Sequence, residues 1–202
     1  MGYIIGLVTN FIVNTIASLG YFGVGLMMAI ESACIPLPSE IIMPFAGFLA
    51  AQGKFSLLGV ALAGALGCVV GSILAYLAGI LGGRVFIEKY GKYILISRHD
   101  LDIADNFFNK YGSSAIFFSR LLPVVRTFIS LPAGIAKMNF SKFVIYSFFG
   151  SLPWCYFLAY IGKKLGDNWD TLGVYFHRFD FAIVLIILLG VVWYVRRHLK
   201  NR

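Results

Sequence analysis

Four ionisable side chains stand inside apolar, proline-broken stretches. Glu31 and Glu40 lie in Glu31-Ser-Ala-Cys-Ile-Pro36-Leu-Pro38-Ser-Glu40, and Arg120 and Arg126 in Arg120-Leu-Leu-Pro123-Val-Val-Arg126. The first stretch contributes acids and the second bases. A charged side chain in hydrocarbon costs about 2.5–3.5 kcal/mol on insertion scales, so four of them here predict a polar site enclosed by protein. Arginine keeps its proton and offers a planar fork of donors, which suits phosphate. Two guanidiniums beside the N-terminus of a half-helix form a phosphate cradle. Glutamates nearby would release the phosphate or titrate with a proton gradient. A plainer reading stays open: the four residues staple two hairpins together, with Glu40 an ordinary first-turn acid.

The other reactive residue types point nowhere else. Cys34, Cys68 and Cys155 are widely spaced in apolar sequence and fit no zinc or redox spacing, so packing is their expected role. His99, His177 and His198 are isolated and fall outside the apolar runs. With no Ser/His/Asp set and no carboxylate cluster, the sequence predicts no enzyme, no cofactor and no metal.

These residues must be positioned by membrane elements. The chain of 202 residues is 59% apolar and 13% charged, with a mean hydropathy of +0.84. A soluble domain of this length needs far more polar surface. No Lys or Arg precedes Lys54, so a cleaved secretory signal is not expected at the N-terminus. The net charge of +8 does not indicate nucleic acid, because the bases form no aromatic-interleaved surface that would track a phosphate backbone. They lie mainly between and after the apolar runs, as Arg84, Lys89, Lys92, Arg98, Lys110 and the closing Arg196, Arg197, Lys200 and Arg202. That pattern predicts a multi-pass protein of the cell's inner (plasma) membrane, with the long polar loop and the C-terminus cytoplasmic.

Residues 3–19 suggest an uncharged interfacial helix. Gly20 to Ile30 spans about 16 Å as a helix, half the hydrocarbon thickness, before Pro36 and Pro38 forbid continuation. Glu40 to Gln52 forms the returning leg, with Ser39 as its expected N-cap. Phe55 to Gly82 carries no charge and crosses. It bears a small residue at every fourth position (Gly59, Ala63, Gly67, Gly71, Ala75, Gly79, Gly83), which predicts close packing within the chain, or alternatively a seam between copies in a homo-oligomer. After a polar stretch, short legs on either side of Pro123, the second containing Gly134, form another hairpin. Phe140 to Ile161 crosses, and Phe181 to Val195 is a final span.

An internal repeat underlies this order. Pro36 to Ala46-Gly47 matches Pro123 to Ala133-Gly134, Phe55-Ser56 recurs as Phe140-Ser141, and Leu74-Ala75-Tyr76 as Leu158-Ala159-Tyr160. Each copy holds one hairpin that does not cross and one helix that does, so the second copy must be inverted. The expected fold is a single all-α integral membrane domain over 1–202. It comprises repeat 1 at about 20–83, an amphipathic connector at about 84–112, repeat 2 at about 113–164 and a C-terminal transmembrane helix at about 181–195. The hairpins are re-entrant, broken at Pro36, Pro38, Pro123 and Gly134, and they bring the acidic tip to the basic one.

At these residues the chain resembles the DedA family, also described as the SNARE-associated or VTT-domain family. The resemblance rests on Glu31…Pro36-x-Pro38-x-Glu40, Phe117-x-x-Arg120-x-x-Pro123-x-x-Arg126, Ala133-Gly134-x-x-x-Met138-x-Phe140 and Gly150-x-x-x-Trp154, over roughly residues 15–165. Ser147 departs from it, standing where the family's Asn is expected. The resemblance implies movement of lipids between leaflets, with Glu31, Glu40, Arg120 and Arg126 as the functional positions. The leading expectation is a transporter of a phosphate-bearing membrane lipid, undecaprenyl phosphate, with protons as a coupling partner. The alternatives are a phosphatidylethanolamine or general phospholipid scramblase, a proton- or cation-coupled small-ion transporter, and an assembly factor.

Overall fold

The computed structural model describes residues 2–35, 37–83, 111–122 and 125–165. Pro36, Pro123, nearly all of the connector expected at 84–112, and the span expected at 181–195 lie outside them. The described residues fall in one unit, Met1–Lys164, apart from Leu165, which opens a second, Leu165–Arg202. Among the described residues all regular structure is helical.

Helix α1 (Gly2–Leu19) buries Ile12 and Ile16, and turns at Gly20, whose φ of 62° suits a residue without a Cβ. Helix α2 (Tyr21–Ser32) stops at Cys34, which takes a left-handed φ of 67° just before the first proline pair. Helix α3 (Ser39–Ala51) begins one residue earlier than its sequence suggests. The N-cap is Pro38, whose backbone is extended and whose carbonyl receives the Ile41 and Ile42 N–H groups at 3.0 and 3.2 Å. Ser39 is therefore already helical and does not cap; its hydroxyl instead donates to Glu40 Oε2 at 3.2 Å. Inside α3, Pro44 has no N–H to give the Glu40 carbonyl one turn back.

Helix α4 (Leu57–Ala78) is capped by Ser56, whose Oγ accepts the Gly59 N–H at 3.0 Å, and continues through a π-helical turn at Gly79–Gly83. Residues 111–120 form α5. Two short helices, α6 (Val125–Phe128) and α7 (Ser130–Ile135), precede the long α8 (Phe140–Leu165). Leu57–Gly82 and Phe140–Leu165 are each 26 residues, apolar and about 39 Å long, enough to cross a bilayer with tilt. Leu58, Leu62, Leu66, Val70, Leu74, Leu77 and Leu81 run down α4 exposed, a face suited to lipid.

Small residues set the packing. A Cβ on Gly67 would overlap the Gly25 carbonyl and one on Gly71 the Ala29 carbonyl, so α4 lies backbone to backbone on α2. The four-residue stripe thus packs within the chain at these positions. Two further contacts cross between the sequence-matched halves. Gly47 of α3 meets Ala159 of α8, and Gly162 of α8 meets the Pro44 carbonyl; Gly134 of α7 meets Tyr76 of α4, and Gly79 meets the Leu131 carbonyl. Around the second contact, Tyr76 stacks on Phe143 with ring centroids 4.6 Å apart and donates its hydroxyl to the Met138 carbonyl.

Candidate functional site

Two breaks between helices deliver three charged side chains to a common interior point. Glu31 stands one residue before the end of α2, Arg120 closes α5, and Arg126 is the second residue of the one-turn α6. All three are buried, at 3%, 1% and 2% relative exposure. Arg126 Nη2 donates to Glu31 Oε2 at 2.9 Å, an ion pair across 95 positions of chain. The same nitrogen lies 3.6 Å from Cys68 Sγ on α4, and the guanidinium faces the Trp154 ring of α8 at 5.5 Å from its centroid. A second tie joins the two breaks, because the Cys34 thiol donates to the Thr127 carbonyl at 3.4 Å.

Arg120 organises the basic side without pairing directly to an acid among the described residues. Its Nη1 donates to the Arg126 carbonyl at 3.0 Å, and its Nη2 to Ser130 Oγ at 2.8 Å and Ser147 Oγ at 3.2 Å. One arginine thereby fixes the short turn that presents the other. Gly150 makes room for this, since a Cβ there would crowd Arg120 Cβ and the Phe117 carbonyl. Ser147, Gly150 and Trp154 follow one another at helical spacing, so one face of α8 backs both guanidiniums.

The structure brings Glu31, Arg120 and Arg126 together. Glu40, the fourth charge, is half-buried and receives the Ser39 hydroxyl. Pro38 sits at the N-cap of α3. Gly134, read in the sequence as a hairpin breaker, lies in the last turn of α7 and permits the close approach to Tyr76. Three contributors were not among the site residues expected from the sequence: Cys68, read there as packing but in contact with Arg126, Ser130, and Trp154, quoted there only as part of a family motif. Ser147, standing where the family's Asn is expected, keeps a polar contact to Arg120.

Among the described residues, two buried guanidiniums stand against one buried carboxylate. Arg120 Nε, Arg126 Nη1 and Trp154 Nε1 are buried donors with no hydrogen-bond partner among the described residues. Buried donors without acceptors are costly, and three of them stand together here.

The family model described as the VTT domain matches residues 37–164. A Bacillus subtilis (strain 168) membrane protein named YkoX is 40% identical over 191 residues, covering 94% of this chain and 85% of its own length. The same organism's undecaprenyl phosphate transporter A is 36% identical over 183 residues, covering 91% of this chain and 90% of its own. A Lactococcus lactis subsp. lactis (strain IL1403) protein named alkaline phosphatase-like is 33% identical over 187 residues, covering 90% and 86%. No solved structure matches the chain.

Proposed function

The chain belongs to the VTT-domain (DedA) family, and from that premise we propose that it moves a phosphate-bearing lipid, undecaprenyl phosphate, between the leaflets of the plasma membrane. The observation that carries this reading is the buried Glu31–Arg126 pair beside Arg120, with donors still free on both guanidiniums. A relative covering most of the chain and named for transport of that lipid supports the substrate. Arg126 and Arg120 bind the head group while the polyprenyl tail stays in lipid. Glu31 holds Arg126 when no lipid is bound. A proton on Glu31 loosens that hold and hands Arg126 to the phosphate, which couples transport to protonation. Glu40 balances the remaining charge.

The architecture we propose for this task is a pair of inverted repeats, each with a re-entrant hairpin and a crossing helix, with the C-terminus cytoplasmic. The crosswise contacts Gly47–Ala159 with Gly162–Pro44, and Gly134–Tyr76 with Gly79–Leu131, support it, because each half presents the same segment to the other. The broken helices then meet within the protein, where irregular backbone is tolerated at membrane depth.

The test is reconstitution in proteoliposomes with a fluorescent polyprenyl phosphate, reading head-group accessibility in the outer leaflet. The unsubstituted protein accelerates exchange, and Arg126→Gln at equal abundance does not. Normal exchange by the Arg126 variant overturns the assignment of this site. Inorganic phosphate measured in parallel identifies an enzyme, which would release it without moving the lipid between leaflets.

A further inference from the structure

The chemistry of the site extends to α8 through a residue that carries no charge. Trp154 Nε1 is a buried N–H donor without a partner among the described residues, and so are Arg126 Nη1 and Arg120 Nε. Trp154 turns its ring face to the Arg126 guanidinium at 5.5 Å, which leaves the indole N–H at the ring edge for another acceptor. Gly150, one turn earlier on the same face, is packed against Arg120, and Ser147, one turn before that, accepts from it. Packing alone explains a tryptophan against an arginine. It does not explain an indole N–H kept from water and from every described acceptor, since buried tryptophans ordinarily satisfy that group.

We propose that Trp154 is a ligand-contacting residue of the transport site, its indole N–H acting with Arg126 Nη1 to hold oxygens of a terminal phosphate. This rests on the transport reading above and deepens it by adding a residue of α8 to the head-group site. Arg126 divides its fork, Nη2 to Glu31 and Nη1 to the ligand. Three free donors match the three unesterified oxygens of a phosphate monoester better than the two of a phosphodiester. The enclosure, with two guanidiniums and one carboxylate, favours the more highly charged monoester for the same reason. Free inorganic phosphate shares that chemistry, so the probes must separate the two sources.

The experiment uses the full chain in lipid nanodiscs with Trp169 and Trp193 replaced by Phe, which leaves Trp154 as the single indole. The ¹H–¹⁵N resonance of that indole is followed as farnesyl phosphate, inorganic phosphate or phosphatidylglycerol is added, with calorimetry recording binding in parallel. Farnesyl phosphate is expected to move the indole proton downfield and phosphatidylglycerol to leave it in place. A shift with inorganic phosphate as well supports a general phosphate site; a shift with farnesyl phosphate alone supports a lipid head-group site. Trp154→Phe, which keeps a ring over Arg126 but has no donor, should bind farnesyl phosphate roughly tenfold or more weakly. Farnesyl phosphate binding without an indole shift, or an equal shift with phosphatidylglycerol, overturns the inference and leaves the transport reading standing. Absence of farnesyl phosphate binding by the unsubstituted chain overturns both.

Discussion

Removing Glu31 should damage this protein more than removing the arginine it holds. At 2.9 Å the ion pair has a gross attraction of about 6 kcal/mol at an effective dielectric constant near 20. Burial has already cost both groups their hydration, so losing one partner exposes that debt rather than the gross term. Breaking a buried pair from one side destabilises by about 3–5 kcal/mol. Glu31→Ala leaves Arg126 charged, because a guanidinium does not give up its proton. Arg126→Met leaves a carboxyl that can take one up and become neutral. Expressed as melting temperature, Glu31→Ala should fall by roughly 6–20 °C. Arg126→Met should fall by less at pH 5 than at pH 7, because proton uptake by the stranded carboxyl relieves the loss as pH falls.

The double variant Glu31→Ala, Arg126→Met removes both charges together and should melt above Glu31→Ala alone. The assay is thermal unfolding of the purified protein in lipid nanodiscs at both pH values, analysed as a double-mutant cycle. Equal and additive losses for the two single variants, or melting within about 2 °C of the unsubstituted protein, would show a hydrated pair and refute the reasoning. A protein that keeps its melting temperature but loses transport in the double variant would assign the pair to function rather than to stapling.

The crosswise glycine contacts make a second prediction. Gly47→Ala and Gly134→Ala each drive a Cβ into a backbone carbonyl and should each destabilise by about 1–3 kcal/mol; Gly82→Ala, which meets nothing within 4 Å, should melt as the unsubstituted protein does. Inversion of the repeats is read by labelling single cysteines, placed at Gln52 or Lys137 in a chain whose native cysteines are replaced, with an impermeant maleimide in intact cells. Gln52→Cys, after the first hairpin, should label and Lys137→Cys, after the second, should not; labelling of both from outside would remove the inverted arrangement.

Among the described residues, the close packing of α4 and the break before α3 were legible because their signals are steric at single positions. A spacing of four between small residues on α4 marks a surface that another backbone can approach, and Gly67 and Gly71 do meet Gly25 and Ala29. Pro38 opens the returning leg as the N-cap of α3, whereas the outgoing leg has already ended at Ser32. The misplacement of the α3 start has the same root. Ser39 looked like a cap because serine commonly is one, but the extended backbone of Pro38 had already turned its carbonyl into the first acceptor. The hydroxyl, on the residue next to Glu40, then found the carboxylate instead.

The site was legible where it was charged and hidden where it was neutral. A carboxylate or guanidinium in an apolar run has few explanations, so Glu31, Arg120 and Arg126 stand out before any fold is known. Sequence spacing could not show that Arg120 turns to the Arg126 carbonyl and to two serines, since the direction of a side chain leaving a proline break is set by tertiary packing. Serine is common in membrane helices, where it bonds its own backbone, as Ser72 does to the Cys68 carbonyl. Ser130 therefore gave no distinct signal, and Ser147 stood out only against the family pattern. One pattern could have exposed the neutral half. Ser147, Gly150 and Trp154 recur at the spacing of a single helix face, combining a hydroxyl, a gap and an aromatic N–H donor. That combination suits a surface laid against a cation far better than one laid against lipid. A purely stapling role for the arginines would need no donor left over, whereas both guanidiniums and the indole beside them retain one.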